Sequence, residues 1–331
     1  MPQQSKTWLL RLLYPSNPMR KVMYDRFGDE QVLAVREQPT PTIASNQLLI
    51  QVKAASINPL DWKIYRGEMK LMSGSTFPKG VGIDFAGIVS QVGAGVTGYR
   101  SGDAVFGFLE VFTGGALSEY VVVTEATIAP KPANISFDQA AALPVTGLAA
   151  LQIVDQLAAV GPGQEVLING ASGGVGLFAV QLAKQRGARV TAVAGPAGLL
   201  RATQLGADAV VDYTKQRLSQ LPQRFDVIID LSDKLAFKAA RPLMKPRATF
   251  VSMLPSPLGL VGAFFHNLFS GQKHQILILK PTAAGLRVLA ALTEQQLQIP
   301  VEKVYDLANV QQAYQETSQG KIKGKVVVVI D

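Results

Sequence analysis

The sequence predicts an α/β chain in which a β-rich, barrel-like region is followed by a doubly wound parallel sheet. Three observations carry that expectation. Between residues 20 and 140, short strand-like runs are separated by glycine turns. Beyond residue 140, apolar runs alternate with helical stretches around one glycine-rich turn, the pattern of a parallel sheet covered on both faces. A last strand, KVVVVI at Lys325–Ile330, arrives after helical texture and is expected to rejoin the first region. The chain has 331 residues, 48% hydrophobic and 17% charged, which is enough for one large or two ordinary domains with real cores.

Residues 1–18 read as an N-terminal extension, with Trp8, Leu9, Leu10, Leu12, Leu13 and Tyr14 interrupted by Arg11 and followed by Pro15, Asn17 and Pro18. The extension is too short to cross a bilayer. Lys6 and Arg11 without acids would suit a membrane surface or a weak targeting segment. An upstream start or a small docked helix is favoured, because Met19 begins an ordinary first strand. Further strands are expected at Gln47–Ala54, Phe85–Val92, Asp103–Phe108 and Leu117–Val123. Phe137–Ala159 is rich in Ala and Leu, with Pro144 and Gly147 as breaks, and leads helically into the glycine-rich unit. After that unit, Ala209–Val211, Phe225–Asp230 and Thr249–Met253 read as buried strands. Leu254–Gly271 is apolar and punctuated by Gly and Pro. It would suit a lid over a substrate, a subunit contact or a membrane contact. A buried core helix weighs at least as much as these together, and peripheral membrane contact is not favoured.

The organising stretch is Glu165–Gly195. Val166–Ile168 is an unbroken apolar run, which suits a strand buried on both faces. Gly170, Gly173, Gly174 and Gly176 then precede an apolar helix pattern that ends near Gly187, and Arg189–Ala194 reads as the second strand. The pattern G-x-G-x-x-G falls on Ala171, Gly173 and Gly176, so its first glycine is replaced and the pattern alone is weak. Its context, strand before and helix after, makes a dinucleotide site the expectation: glycines let the backbone approach a pyrophosphate, and the helix start offers it N–H groups. A carboxylate about 20 residues on would receive a ribose hydroxyl and repel a 2′-phosphate. No Asp or Glu lies between Glu165 and Asp208, whereas Lys184, Arg186, Arg189 and Arg201 do. NADPH is therefore expected over NADH, with Arg201 as the first candidate for the phosphate. Lys184 and Arg186 are expected to face solvent.

The net charge is +8 and the pI about 9.6. The basic residues are spread along the chain without a nucleic-acid module, so nucleic acid is not an expected partner. Cysteine is absent and only two histidines are present, which argues against thiolate zinc sites, cysteine nucleophiles and multi-histidine metal centres. Nothing demands an oxidising compartment, and a cytoplasmic location is expected.

Several stretches, in order, resemble one family. They include AASINPLDWKIYRG (Ala54–Gly67), GIDFAGIVSQVGAGV (Gly82–Val96) and SGDAVFGF (Ser101–Phe108), continuing with GGALSEYVVV, AAALPVTGLAAL, INGASGGVG, LGADAVVDYT and GKIKGKVVVV. From Met19 to Asp331 the chain is similar to zinc-independent medium-chain dehydrogenase/reductases of the quinone-oxidoreductase branch, in particular the chloroplast-envelope type. The resemblance implies a GroES-like substrate domain in two segments, 19–140 and 280–331, with a Rossmann domain at 141–279 inserted between them and the active site in the cleft. Relatives commonly form dimers, so a homodimer fits the resemblance. Zinc-dependent relatives carry a cysteine and a histidine at positions resembling Asp61 and Phe85 or its neighbours. Asp61 and Asp84 form at most a weak oxygen-rich pair, read as structural.

What the resemblance implies chemically is hydride transfer from NADPH to a quinone, or to the β-carbon of an enone or enal, without metal. Asn58, Lys63 and Tyr65 lie in the segment that lines the family's cleft. They are the candidate donors to a developing oxyanion, with Lys63 also placed to hold the nicotinamide ribose. Thr146 and Gly147 resemble the family's nicotinamide-side turn. Ser172, Gly173, Gly174 and Val175 match the pyrophosphate loop, beside Ala171 and Gly176 from the glycine pattern, Tyr213 the adenosine side, and Lys323 and Lys325 a terminal segment that reaches the cofactor phosphates. Gly195 opens GPAG, where many relatives carry Ser or Arg for the 2′-phosphate. Two further readings stay open, a metal-free alcohol dehydrogenase and a nucleotide-binding assembly protein without turnover.

Overall fold

The computed structural model describes residues 18–253, 257–320, 322 and 324–330. Residues 1–17 of the expected extension lie outside them, and Pro18 opens the first strand. The chain divides into two compact units: Met1–Val145 with Pro281–Gln295 and Val301–Asp331, and Thr146–Lys280 with Gln296–Pro300.

In chain order the first unit opens with β1 (Pro18–Tyr24), β2 (Ala34–Pro39), β3 (Leu48–Ile57) and β4 (Lys79–Gly80). It continues with β5 (Asp84–Val92), β6 (Ala104–Phe108), β7 (Tyr120–Val123) and β8 (Ile128–Pro130). The second unit holds β9 (Glu165–Asn169), β10 (Arg189–Ala194), β11 (Ala209–Asp212), β12 (Phe225–Asp230), β13 (Met244–Ser252) and β14 (Lys273–Ile276). The chain then returns to the first unit for β15 (Val301–Asp306) and β16 (Lys325–Val329).

The first unit carries a three-stranded sheet, β2-β1-β4, and a seven-stranded sheet in the order β15-β16-β3-β5-β6-β8, with β7 also on β3. β16 runs antiparallel to β3, pairing Val326 with Ile57, and β3 runs antiparallel to β5, pairing Ser56 with Asp84. An all-valine run can occupy the centre of this sheet because its branched side chains fill both faces, and Val326, Val327 and Val328 are all buried. β3 is longer than QLLIQVKA suggested, and its extra residues, Ala55, Ser56 and Ile57, are the ones that meet β5 and β16.

The second unit is one parallel sheet, β11-β10-β9-β12-β13-β14. Its strand order reverses between β9 and β12, where ligands of such sheets bind outside the carboxyl ends of the strands. β10 is buried from Val190 to Ala194, and the helix Gly174–Gln185 lays Leu177, Phe178, Val180 and Leu182 against the core. Strand β13 starts at Met244, ahead of the expected Thr249. Pro144 does not break a helix but begins one, Pro144–Leu151, and Gly147 lies inside it. Proline at a helix start gives up an N–H that has no intrahelical partner there.

The expectation of a buried core helix at 254–271 is corrected. The described part forms a helix, Pro257–Phe269, whose large apolar residues Phe264, Phe265, Leu268 and Phe269 are exposed. Periodicity alone does not say which side of an apolar helix faces protein.

Gln296–Pro300 belongs to the second unit through Gln181, a buried glutamine on the helix Gly174–Gln185. Its amide accepts from the Gln298 N–H (2.8 Å) and donates to the carbonyls of Gln298 (3.0 Å) and Leu177 (2.9 Å). Replacing it by Ala strands two backbone groups, so Gln181→Ala should cost about 1–3 kcal/mol in denaturant unfolding. Exchange of the Gln298 amide hydrogen should accelerate more than that of the strand amides, and an unchanged rate would contradict the anchoring role.

Candidate active site

In the second unit, the glycine-rich turn leaves β9 at Asn169 and enters the helix at Gly174. Gly170 has φ +89°, a conformation that costs glycine least. The N–H groups of Gly170 and Ala171 both donate to the Val193 carbonyl, at 3.1 and 3.0 Å, which ties the turn to β10. A side chain at Gly176 would fall inside van der Waals distance of the Gly170 carbonyl oxygen, so the helix packs as closely onto the turn as backbone permits. Gly173 is the N-cap, with no side-chain capping bond, and the first-turn N–H groups of Gly174, Val175 and Gly176 have no acceptor within the helix. That is the chemistry of an anion cradle.

The end of β10 supplies a second helix start beside it. Gly195 caps the helix Pro196–Gln204, again with no side-chain capping bond. A β-carbon at Gly195 would stand 3.0 Å from the Tyr213 hydroxyl, and one at Gly198 would collide with Ser172. The structure therefore brings Ser172, Gly195, Gly198 and Tyr213 together, with Tyr213 exposed. Arg201 lies in the last turn of that helix, away from its N-terminus. Lys184 pairs with Asp208 (2.7 Å), Arg186 with Asp155 (2.8 Å) and Arg189 with Glu165 (3.4 Å), so each of these cations is taken by a carboxylate. At the neighbouring strand end, the Asn169 amide donates to Asp230 (2.8 Å) and to Ser232 (2.9 Å). Thr146 and Gly147 are buried in the first turn of Pro144–Leu151.

In the first unit, strand register builds a buried polar cluster. Because Val326 pairs with Ile57, Lys325 arrives beside Asn58; because Ser56 pairs with Asp84, both reach the same point from the other side. Lys325 is 2% exposed and donates to the Asn58 side-chain oxygen at 2.9 Å and the Ile57 carbonyl at 3.4 Å, with Asp84 at 3.9 Å. The Asn58 amide donates to Asp84 at 2.9 Å, Ser56 Oγ to the same oxygen at 3.2 Å, and the Val145 N–H to the other at 3.1 Å. Asp61, three residues on, accepts from the Asn58 N–H at 2.8 Å and from the Tyr314 hydroxyl at 3.0 Å.

Burial raises the Asp84 carboxyl against the pull of Lys325 and its hydrogen-bond donors, and lowers the Lys325 amine against the pull of Asp84 and Asp61. Burial also lifts Asp61 to about 7, against its bond from Asn58 and with a further push from Asp84. Its second oxygen, Oδ1, and the hydroxyls of Tyr24 and Tyr65 have no hydrogen-bond partner among the described residues. Asp61 and Tyr24 line a cavity of about 10 Å³, a volume on the scale of one water molecule. The Tyr24 hydroxyl is pushed up to about 12 by burial and by Asp61.

The expected donors divide accordingly. Asn58 is buried, with its amide oxygen committed to Lys325 and its amide nitrogen to Asp84, and so acts as the keystone of the cluster and not as a donor to substrate. Tyr65 is fully buried, its ring edge-on to Tyr314 at 5.4 Å, which corrects its assignment to a cleft surface. It falls on the inner side of the helix Pro59–Tyr65, next to buried Ile64. Lys63 is the member of the trio with a partly exposed side chain. Lys325 is corrected as well: its amine is enclosed by protein groups and cannot reach a phosphate without breaking them. Lys323 lies outside the described residues. Tyr314 and the Lys325–Asn58–Asp84 bonding were missed by sequence reasoning, although the register KVVVV beside SINP was the available signal.

Two family descriptions match: alcohol dehydrogenase GroES-like domain over residues 44–133, and zinc-binding dehydrogenase over residues 205–328. The chain is 30% identical over 322 residues to a chloroplast envelope quinone oxidoreductase homolog of Arabidopsis thaliana, covering 94% of this chain and 98% of that one. It is 35% identical over 224 residues to an NADPH-dependent alkenal/one oxidoreductase of the same plant, covering 64% of this chain and 57% of that one. Among solved structures, the quinone oxidoreductase from Coxiella burnetii superposes with a TM-score of 0.87 at 30% identity, covering 95% of this chain and all (100%) of that one.

The cluster carries a pH prediction. Asp61 in the folded protein sits at about 7, above its ordinary 3.8, so the interior favours the protonated acid. Its contribution is fully present below the ordinary value and is lost as pH rises through about 7. Asp61→Asn keeps an oxygen acceptor for Asn58 and Tyr314 and cannot ionise. Urea midpoints measured across that window should fall with pH more steeply in the parent than in Asp61→Asn. Parallel profiles would contradict the raised acid.

Proposed function

Because the chain belongs to the quinone-oxidoreductase branch of the medium-chain dehydrogenase/reductase family, we propose that it is an NADPH-dependent oxidoreductase. The proposed reaction transfers hydride to a quinone, or to the carbon–carbon double bond of an α,β-unsaturated carbonyl, without zinc. The observation that carries this reading is the uncapped glycine turn at the strand-order reversal of the parallel sheet, with a second uncapped helix start beside it. Bound NADPH supplies the hydride; the protein contributes position and electrostatics.

The residues fit the nucleotide in three respects. The N–H groups of Gly174, Val175 and Gly176 lack acceptors within the helix and are offered to the pyrophosphate, and Gly176 leaves no room for a side chain against the Gly170 carbonyl. Ser172, packed on Gly198, and the first turn after Gly195 are the groups this reading assigns to a 2′-phosphate, and no carboxylate opposes it at Gly195. Exposed Tyr213 offers a ring face on the adenosine side. Arg201, in the last turn of the helix Pro196–Gln204, stays in this reading as the candidate cation for the 2′-phosphate.

Zinc does not fit. The chain has no cysteine, and Asp61 and Asp84 each accept hydrogen bonds from neighbouring groups. Among the described residues, no group of three or more His, Asp or Glu side chains could hold a metal ion. No step is therefore assigned to a metal. In its place, Lys63 supplies positive charge to the oxyanion that develops as hydride arrives at the acceptor. Asn58, through Lys325 and Asp84, holds the start of the helix that carries Lys63.

The test is NADPH oxidation with short and long quinones, enals and enones, repeated with NADH. NADPH turnover with at least one acceptor class is expected, and product mass distinguishes quinol from a saturated carbonyl. Silence with every acceptor despite NADPH binding would reject the enzyme reading. Lys63→Met should lower kcat by about 10-fold or more if its charge meets the oxyanion, since removing one such donor commonly costs 10²–10³. Arg201→Ala should weaken NADPH more than NADH, and equal loss would remove Arg201 from the phosphate site.

A further inference from the structure

In the first unit, β1 turns a lysine inward between two methionines. Side chains alternate along a strand, so Met19, Lys21 and Met23 share one face of β1. All three line a groove of about 550 Å³, together with Leu109, Val122 and Glu110. The methionines are buried and the lysine is half-buried. Two glycines make room for its side chain. A β-carbon at Gly80 would stand 2.8 Å from Lys21 Cε, and one at Gly115, whose φ is +105°, would stand 3.0 Å from Nζ. The groove has the size of an ordinary small-molecule site, and most of its walls are apolar.

The carboxylates around β1 are committed elsewhere. Arg20 holds Glu119 at 2.7 Å, and Arg36, the register partner of Lys21 on β2, holds Asp25. Glu110 Oε2 accepts from the N–H groups of Phe112 and Thr113, each at 2.9 Å. Among the described residues, none accepts a hydrogen bond from Lys21 Nζ or pairs with its charge. Burial therefore lowers the amine from its ordinary 10.5 with no carboxylate pulling the other way. A lysine desolvated in this manner spends more of its time as the neutral amine, which is the nucleophile. Two kinds of ligand would answer such a group: a carboxylate that pairs with the ammonium, or a carbonyl carbon that the amine attacks. Exposed Glu110 on the same groove repels the first and does not oppose the second.

We propose that Lys21 is a reactive amine site that captures small aliphatic aldehydes as an imine, with the chain of the aldehyde lying against Met19, Met23, Leu109 and Val122. The nitrogen lone pair attacks the carbonyl carbon, the C=O π pair passes to oxygen, and a proton moves from nitrogen to that oxygen to give a carbinolamine. Departure of the hydroxyl as water, with the remaining N–H proton, leaves the C=N bond. Amine and aldehyde thus become imine and water, and the step needs no oxidant, reductant or nucleotide.

The experiment is reductive trapping of the full chain with hexanal and sodium cyanoborohydride, without nucleotide, read by intact mass and peptide mapping. The added reductant converts the imine to a stable secondary amine, so each captured aldehyde leaves one hexyl group. At low aldehyde excess, Lys21 should gain its hexyl group about 10-fold or more faster than exposed Lys215. Lys21→Met, which keeps an unbranched apolar side chain and loses the amine, should abolish that adduct. Lys21→Arg should abolish it too while retaining the charge. Labelling of Lys21 no faster than of Lys215 in the parent would overturn the proposal, and that comparison needs no variant to fold. So would hexanoate binding in calorimetry that Lys21→Met abolishes, with no trapped adduct in the parent, since the groove would then be a carboxylate site.

Discussion

A buried ammonium is the constraint on which the first unit depends. Lys325 can occupy the interior only because the register of β16 on β3 delivers it to Asn58, whose amide joins it to Asp84. Removing one member of such a group leaves a charge or a strong donor without a partner in low dielectric, which costs far more than the net worth of the intact set. The same bonds fix Asn58 at the start of the helix Pro59–Tyr65, so sheet register, helix position and the direction of Lys63 are one problem with one solution. Asp61 and Tyr314 extend that solution to the helix Val310–Ser318.

The second unit is organised by distance instead of charge. Contact between Gly176 and the Gly170 carbonyl, and between Gly198 and Ser172, leaves no room for side chains, so backbone and not side chains forms the surface of the turn. Charged residues stand away from the turn in ordinary pairs such as Lys184–Asp208 and Arg186–Asp155. Partly exposed pairs of that kind contribute roughly 0–1 kcal/mol each, so they decorate the fold more than they hold it.

Much of the fold was legible in the sequence because its signals are local. The apolar run at Val166–Ile168, the glycines after it and the strand at Arg189–Ala194 each announce themselves within a few residues, and the observed β10 has those bounds. Strands β14 and β15 were missed because KHQI and VEKVYD carry the composition of exposed segments and owe their conformation to neighbours in the sheet. The site was less legible. NPLDWKIY told which helix mattered, but not that Asn58 and Tyr65 face inward while Lys63 reaches solvent, since that depends on contacts with residues more than two hundred positions away. The helix Pro257–Phe269 was misplaced for the related reason that hydrophobicity reports what a residue prefers, whereas Asn267 and His266 decided what it received.

The pairing of β16 with β3 also sets an order of events during synthesis. Most of the first unit emerges early, but its sheet lacks β15 and β16 until residues 301–329 have left the ribosome, while Thr146–Lys280 is continuous and makes its own parallel sheet in between. Contacts such as Lys325 with Asn58, 267 residues apart, close a very long loop, and loops of that length form late. The nascent first unit therefore waits with an open edge at β3 and two acidic residues, Asp61 and Asp84, still without their lysine, a state that water tolerates well and a closed core does not.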